Sequence, residues 1–364
     1  MTKKTLLITC VSLITATACT TLPDFRDGIV LEEFVYEEAA FPSCHASTIA
    51  ETPSGLVTAF FGGTHERHPD VCIYLSRKTE EGWTAPVVVA HGVISDTLRH
   101  PTWNPVLYQV PGGELLLFYK VGPSPSSWWG MLKRSSDGGI SWSDAEALPE
   151  GYMGPVKNKP VMLEDGTLIC PTSTEDQGWR IHFEYTKDNG HTWTRSEAIN
   201  NPRTYQAIQP SILFHPNGKL QLLARSLNSV LVTSWSEDQG RTWSLLQESG
   251  LPNNNAGTDA VSLEDGRQLL VYNHVKTPVG ARGGYRTPLN VAISEDGKRW
   301  DAALVLEDSE ISEYSYPAVI QSSDGMVHVV YTWRRERIKY VKIDPDLLKT
   351  SPIVGGLWPE AIVP

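Results

Sequence analysis

One eight-residue string, Ser/Thr-x-Asp-x-Gly-x-Ser/Thr-Trp, recurs along this chain and limits the folds open to it. It is complete at Ser135–Trp142, Thr186–Trp193 and Ser236–Trp243, shortened at Ser294–Trp300 and decayed at Ser76–Trp83. The five tryptophans stand 59, 51, 50 and 57 residues apart. A near-constant period of this size marks a repeat architecture. The chemistry of the string is that of a β-turn. Asp accepts from the turn's backbone N–H groups, Gly supplies positive φ, and the Ser or Thr hydroxyl closes the loop. These aspartates are therefore assigned to structure rather than to catalysis or calcium.

A second repeat lies between the strings: strand, glycine turn, strand. The turn glycines are Gly55, Gly113, Gly166, Gly218, Gly266 and Gly325, flanked by apolar runs such as Pro105–Tyr108 and Glu114–Tyr119. Six hairpins make six units of four antiparallel strands, which predicts an all-β, six-bladed β-propeller over residues 29–345. Ile29–Glu37 is a spare strand placed to complete the last blade and remove an open edge. Residues 346–364 form a tail packed on or near the propeller. Hairpin connectivity puts the glycine turns and Asp strings on one face. The other face receives the strand starts and the long loops 62–71, 120–130, 172–180 and 273–290, the usual place for function. At or near the strand starts stand His45, Asn104, Asn158-Lys159, Gln209, Asp259 and Tyr314-Ser315-Tyr316. After the second strands stand His65, Glu66, Asp70, Lys120, Glu175, Arg225, His274, Arg286 and Arg334. Core strands usually begin with apolar residues. A hydrated channel accounts for part of this polar ring, and a site for the rest.

The 364 residues carry a net charge of −11. That balance argues against nucleic acid as a partner and leaves a local basic pocket open. Lys3 and Lys4 precede an apolar run, Leu6–Ala18, too short to span a membrane. Residues 1–18 read as an export signal and 19–28 as a short linker. Ala16-Thr17-Ala18-Cys19 fits two signals, a lipobox with Cys19 lipidated or an ordinary Ala-x-Ala cleavage site. The expectation is an exported protein, periplasmic or an outer-membrane lipoprotein of a bacterium, touching membrane only through an N-terminal lipid. Cys44, Cys72 and Cys170 are odd in number and lack close-pair spacing, so neither a disulfide framework nor a zinc site is expected. No cofactor is called for.

On the Asp strings, on Ala224-Arg225-Ser226 and Tyr285-Arg286-Thr287, and on Tyr314–Val319, the chain resembles the sialidase (neuraminidase) superfamily across nearly all of its propeller. Sialidases fix a substrate carboxylate with three arginines, use a tyrosine nucleophile activated by a glutamate, and use an aspartate as acid/base. The resemblance makes Arg225 and Arg286 the second and third arginines, Tyr314 the nucleophile and Asp70 the acid/base. Two positions depart from the pattern. The first arginine's place is occupied by Cys44-His45-Ala46, and the activating glutamate's place by Gln209, which cannot take a proton. The stretches His45–Gly63, Trp103–Ser127 and Gly154–Pro160 resemble a subgroup of exo-sialidase-like proteins.

Three functions stay open. The first is an exo-acting glycoside hydrolase on an acidic terminal sugar: a sialic acid, another keto-acid sugar or a uronate. Arg225 and Arg286 would clamp the carboxylate, and Asp70 would protonate the leaving oxygen. Tyr314 would attack or stabilise the oxocarbenium ion, and His45 would replace the missing arginine. Gln209, Asn104, Lys159 and Asp259 would line the sugar. The second is a polysaccharide lyase on a uronate, with His45 and His65 moving protons. The third is a non-catalytic glycan-binding propeller, with Trp103, Trp128 and Trp129 stacking on sugar faces.

Overall fold

The computed structural model describes residues 25–359. The expected export signal at residues 1–18 and the lipobox reading of Cys19 lie outside the described residues. The rest of the chain forms six four-stranded antiparallel blades with almost no helix. Blades 1 to 6 begin with the innermost strands Ser43–Thr52, Thr102–Gln109, Val161–Met162, Ala207–His215, Asp259–Ser262 and Tyr314–Gln321. Each pairs with the next strand of its own blade, as Gly55–Gly63 does in blade 1. The first strand of the chain, Ile29–Phe34, pairs antiparallel with Arg337–Ile343 and becomes the outer strand of blade 6. The ring is thus closed by hydrogen bonds between its two ends. Ser351–Pro352 adds a short fifth strand to blade 5, and Trp358 packs against Phe25 and His274.

The strings fold as their chemistry dictates. Asp188 Oδ1 accepts from the N–H of Thr192 at 2.8 Å and of His191 at 3.1 Å, while Oδ2 accepts from the Thr192 hydroxyl at 2.7 Å. Thr186 Oγ accepts from the Gly190 N–H at 2.8 Å, and Trp193 Nε1 donates to Gly190 O at 2.9 Å. Asp137 and Asp238 repeat this pattern. Gly190 and Gly240 have φ of 93° and 82°, where a Cβ would be strained. The expected glycine turns hold with one shift: in blade 2 the positive φ falls on Gly112, not Gly113. Cys44, Cys72 and Cys170 are buried free thiols.

Hydrogen bonds from the Ser141 hydroxyl and N–H pull the Asp137 pKa down to about 2, and those from Thr192 do the same for Asp188. A carboxyl whose folded pKa is depressed stabilises the fold above its unfolded value of about 4, and that contribution is lost as pH falls through the folded value. Thermal melts should therefore show wild-type stability declining between about pH 4 and pH 2. An Asp137→Asn/Asp188→Asn protein should melt lower at pH 6 and decline less over that window. Parallel curves would refute this account of the strings.

Candidate active site

The face opposite the Asp strings is shaped by one irregularity repeated around the axis. In blades 1, 2, 4 and 6 the innermost strand slips its register near its start, after His45, at Asn104, after Ile208 and after Ser315. In each slip one non-glycine residue turns left-handed: Ala46 (57°), Asn104 (32°), Gln209 (55°) and Tyr316 (52°). In three of the four a proline follows. Proline has no N–H to give the ladder, so it belongs at a bulge. Left-handed backbone at non-glycine residues costs about 1–3 kcal/mol each, and such strain gathers at working sites.

The tyrosine at the centre is Tyr316, not Tyr314. Tyr314 is 4% exposed and packs in the apolar seam of blades 5 and 6 with Val319, Val329 and Tyr331, its hydroxyl 2.8 Å from Ser309 Oγ. The bulge turns Tyr316 toward the axis instead. Its ring lies 5.4 Å from the Arg225 guanidinium and 5.6 Å from that of Arg286. The His45 ring is 4.2 Å away. Behind it Lys157 Nζ sits 5.7 Å from the ring and donates to Asn158 Oδ1, Thr258 O and Pro317 O at 2.6–2.8 Å. Burial pulls the Lys157 pKa down to about 7, yet three oxygen acceptors around one nitrogen are the company of an ammonium. Gly257 makes room for both: a Cβ there would stand 3.0 Å from the Tyr316 ring and 3.2 Å from Lys157 Cε.

A third arginine joins the cluster that the sequence reading did not single out. Arg335 follows the second strand of blade 6 in a turn where Arg334 and Arg335 have φ of 55° and 63°, the geometry of a primed hairpin turn. Its carbonyl accepts from the Cys44 N–H at 2.8 Å, beside the place where the family's first arginine would stand. Glu313 joins Arg335 to Arg286: its Oε1 is 2.6 Å from Arg286 Nη1 and 3.1 Å from Arg335 Nε. Burial works to raise the Glu313 pKa, but the two arginines outweigh it and hold the carboxyl below its usual range. Glu66, from the long loop of blade 1, bonds to Arg335 Nη1 at 2.5 Å.

His45 is not the substitute cation. Burial, then Arg335, Arg286, Arg225 and Lys157, hold its pKa well below the ordinary histidine value, so it is neutral. Its Nδ1 lies 3.0 Å from Thr332 Oγ. His65 takes other partners on an exposed loop, with Nδ1 2.9 Å from Glu66 O and the ring 5.2 Å from His68.

Asp70 is tied to its own loop by the Thr64 hydroxyl at 2.6 Å and N–H at 3.0 Å, and by His68 at 2.8 Å. Burial works to raise its pKa, but these bonds prevail and hold it low, the wrong direction for a proton donor. Asp259 and Lys159 pair with each other at 2.9 Å; Asp259 also accepts from Ser211, Ala260 and Val319, which fills its four acceptor positions. Asn104 and Gln209 are buried at their bulges. Among the described residues, buried Gln209 Oε1, Arg225 Nε and Thr258 Oγ have no hydrogen-bond partner. Unpartnered polar atoms of this kind are costly unless a ligand or solvent meets them. Among the described residues no group of His, Cys, Asp and Glu is placed to hold a metal.

Comparison with known proteins agrees with this architecture. A family described as a BNR repeat-like domain matches residues 54–329. A sialidase of Paraclostridium sordellii is 25% identical over 238 residues, 57% of this chain and 57% of that protein. A sialidase of Bacteroides fragilis is 21% identical over 55% of this chain and 39% of its own length. The chain thus spans about half the length of such relatives. Among solved structures, a protein of unknown function from Dyadobacter fermentans superposes with a TM-score of 0.70 at 18% identity, over 87% of this chain and 98% of that one. The intramolecular trans-sialidase of Ruminococcus gnavus gives 0.69 at 14% identity, over 89% and 99%. With the family match covering most of the propeller, the chain belongs to the BNR repeat-like domain family and is a sialidase-like β-propeller.

Proposed function

We propose that the chain is an exo-acting glycoside hydrolase that removes an acidic terminal sugar of the sialic acid class from an oligo- or polysaccharide. The observation that carries the reading is the meeting of three guanidinium groups from blades 4, 5 and 6 around one tyrosine: Arg225 and Arg286 flank Tyr316 directly, and Arg335 is joined to Arg286 through Glu313. Planar guanidinium forks match a carboxylate bidentately, which a lysine cannot do. The relatives named sialidase support the sugar class. With the carboxylate on the clamp, the anomeric carbon falls to Tyr316, which takes the role that the resemblance gives to Tyr314. Gln209 supplies an amide there and no base. Neutral His45 packs on the Tyr316 ring, and the burial and four cations that hold it neutral make it a poor base, so Tyr316 serves to stabilise the oxocarbenium ion. On this reading the export signal expected at residues 1–18 would carry the enzyme out of the cytoplasm, where such glycans are met.

The test is to incubate the protein with 3′-sialyllactose and a panel of other acidic oligosaccharides, recording new reducing ends and the absorbance of unsaturated uronate together. New ends without absorbance are expected. Ends with absorbance would make the protein a lyase, and neither would leave a binding propeller; both results overturn the reading. Arg286→Lys should lower kcat/KM by about 10- to 100-fold, the worth of a lost charged hydrogen-bond pair. Gly257→Ala touches no substrate but displaces Tyr316. It should lower kcat more than it raises KM, with a melting temperature that reflects the roughly 1–3 kcal/mol of overpacking.

A further inference from the structure

On the hydrolase reading above, we propose that Glu175, not Asp70, is the acid/base residue that protonates the leaving oxygen. Glu175 follows the second strand of blade 3, Leu168–Thr174, in the loop that leads to Arg180–Thr186. Its Oε2 accepts from Trp179 Nε1 at 3.1 Å. The Trp179 ring faces the Arg225 guanidinium at 5.0 Å, and that guanidinium faces Tyr316 at 5.4 Å. Carboxyl, indole, guanidinium and phenol therefore follow one another in contact. Among the described residues Oε1 takes no hydrogen bond, so one oxygen is free to meet a substrate.

The other carboxyls of this face are committed. Glu313 is held anionic between Arg286 and Arg335, Glu66 is paired with Arg335, and Asp259 has all four acceptor positions filled. Asp70 is bound down by Thr64 and His68. Around Glu175 the charges are Arg225 from blade 4 and Arg67 and Glu66 from the blade 1 loop. Burial raises its pKa, Arg225, the Trp179 bond and Arg67 oppose this, Glu66 adds to it, and the balance lies above the ordinary glutamate value. A carboxyl that keeps its proton toward neutral pH is what a general acid requires. The blade 1 loop that carries Glu66 and Arg67 also carries Asp70, so Glu175 stands within electrostatic reach of the loop to which the resemblance assigns the acid/base.

The chemistry balances in two steps. The Glu175 proton moves to the glycosidic oxygen as the bond from that oxygen to the anomeric carbon breaks, releasing the leaving sugar as an alcohol and leaving an oxocarbenium ion that Tyr316 and the Glu175 carboxylate stabilise. The carboxylate then takes a proton from water as the water oxygen bonds to the anomeric carbon, and the acid is restored.

The experiment compares wild type, Glu175→Gln and Asp70→Asn on 3′-sialyllactose, whose leaving group needs a proton, and on 4-methylumbelliferyl α-sialoside, whose phenol leaves without one. Glu175→Gln should lose about 100-fold or more in kcat/KM on the first and less than about 10-fold on the second. It should also lose the limb in which wild-type activity falls as pH rises through the glutamate's pKa. Melting curves establish that the variants are folded. Equal slowing on both substrates with the pH limb retained, or the leaving-group dependence appearing in Asp70→Asn instead, overturns the role of Glu175 and leaves the hydrolase standing. A wild type that cleaves neither substrate nor any of the acidic panel overturns both.

Discussion

The carboxylate of Asp259 is the joint on which the centre of the ring depends. It sits 1% exposed at the start of the innermost strand of blade 5. Its four bonds reach Lys159 of blade 3, Ser211 of blade 4, the adjoining Ala260 N–H and Val319 of blade 6. A buried charge missing its partner costs roughly 3–5 kcal/mol, so these blades cannot drift apart without exposing that cost. Lys157 repeats the device one layer over, bonding to carbonyls of blades 5 and 6. The residues that sequence position alone placed on a sugar are thus divided by their bonding. Those with every polar atom occupied brace the channel, and those with an atom left over face its mouth.

The architecture was legible because its signals are local. An Asp string needs only eight residues to make its turn, and a glycine turn needs fewer. Closure by Ile29–Phe34 also followed from counting, since one strand was spare at the start and one was short at the end. Arg225 and Arg286 were found because each follows a strand whose place in its blade was already known.

The site was less legible where it relies on departures from regular pairing. In a regular strand Tyr314 and Tyr316 point to the same side, so alternation cannot choose between them. The left-handed turn at Tyr316 makes the choice, and its trace in the sequence is the dipeptide shared with Asn104-Pro105 and Gln209-Pro210. Arg335 escaped for another reason. The resemblance puts its counterpart in blade 1, whereas the chain supplies an arginine from blade 6, beside the Cys44–Arg335 backbone contact. The neutrality of His45 could not be read from its neighbours in sequence, because the four cations that enforce it come from blades 3, 4, 5 and 6.

That last contact gives the closing strand a meaning beyond mechanical stability. Blade 6 and blade 1 meet directly, Ile49 and Phe60 packing with Ala318 and Val330, and Ile29–Phe34 joins Arg337–Ile343 across the same seam, a pairing between distant parts of the chain and therefore among the slower kinds to form. Arg335 enters the cluster across that same seam. On the proposed reading, a molecule whose ends have not yet met would hold Arg225 and Arg286 without Arg335, and the anion clamp would be completed with the ring. Truncated or half-made chains would carry the fold's repeats without its chemistry.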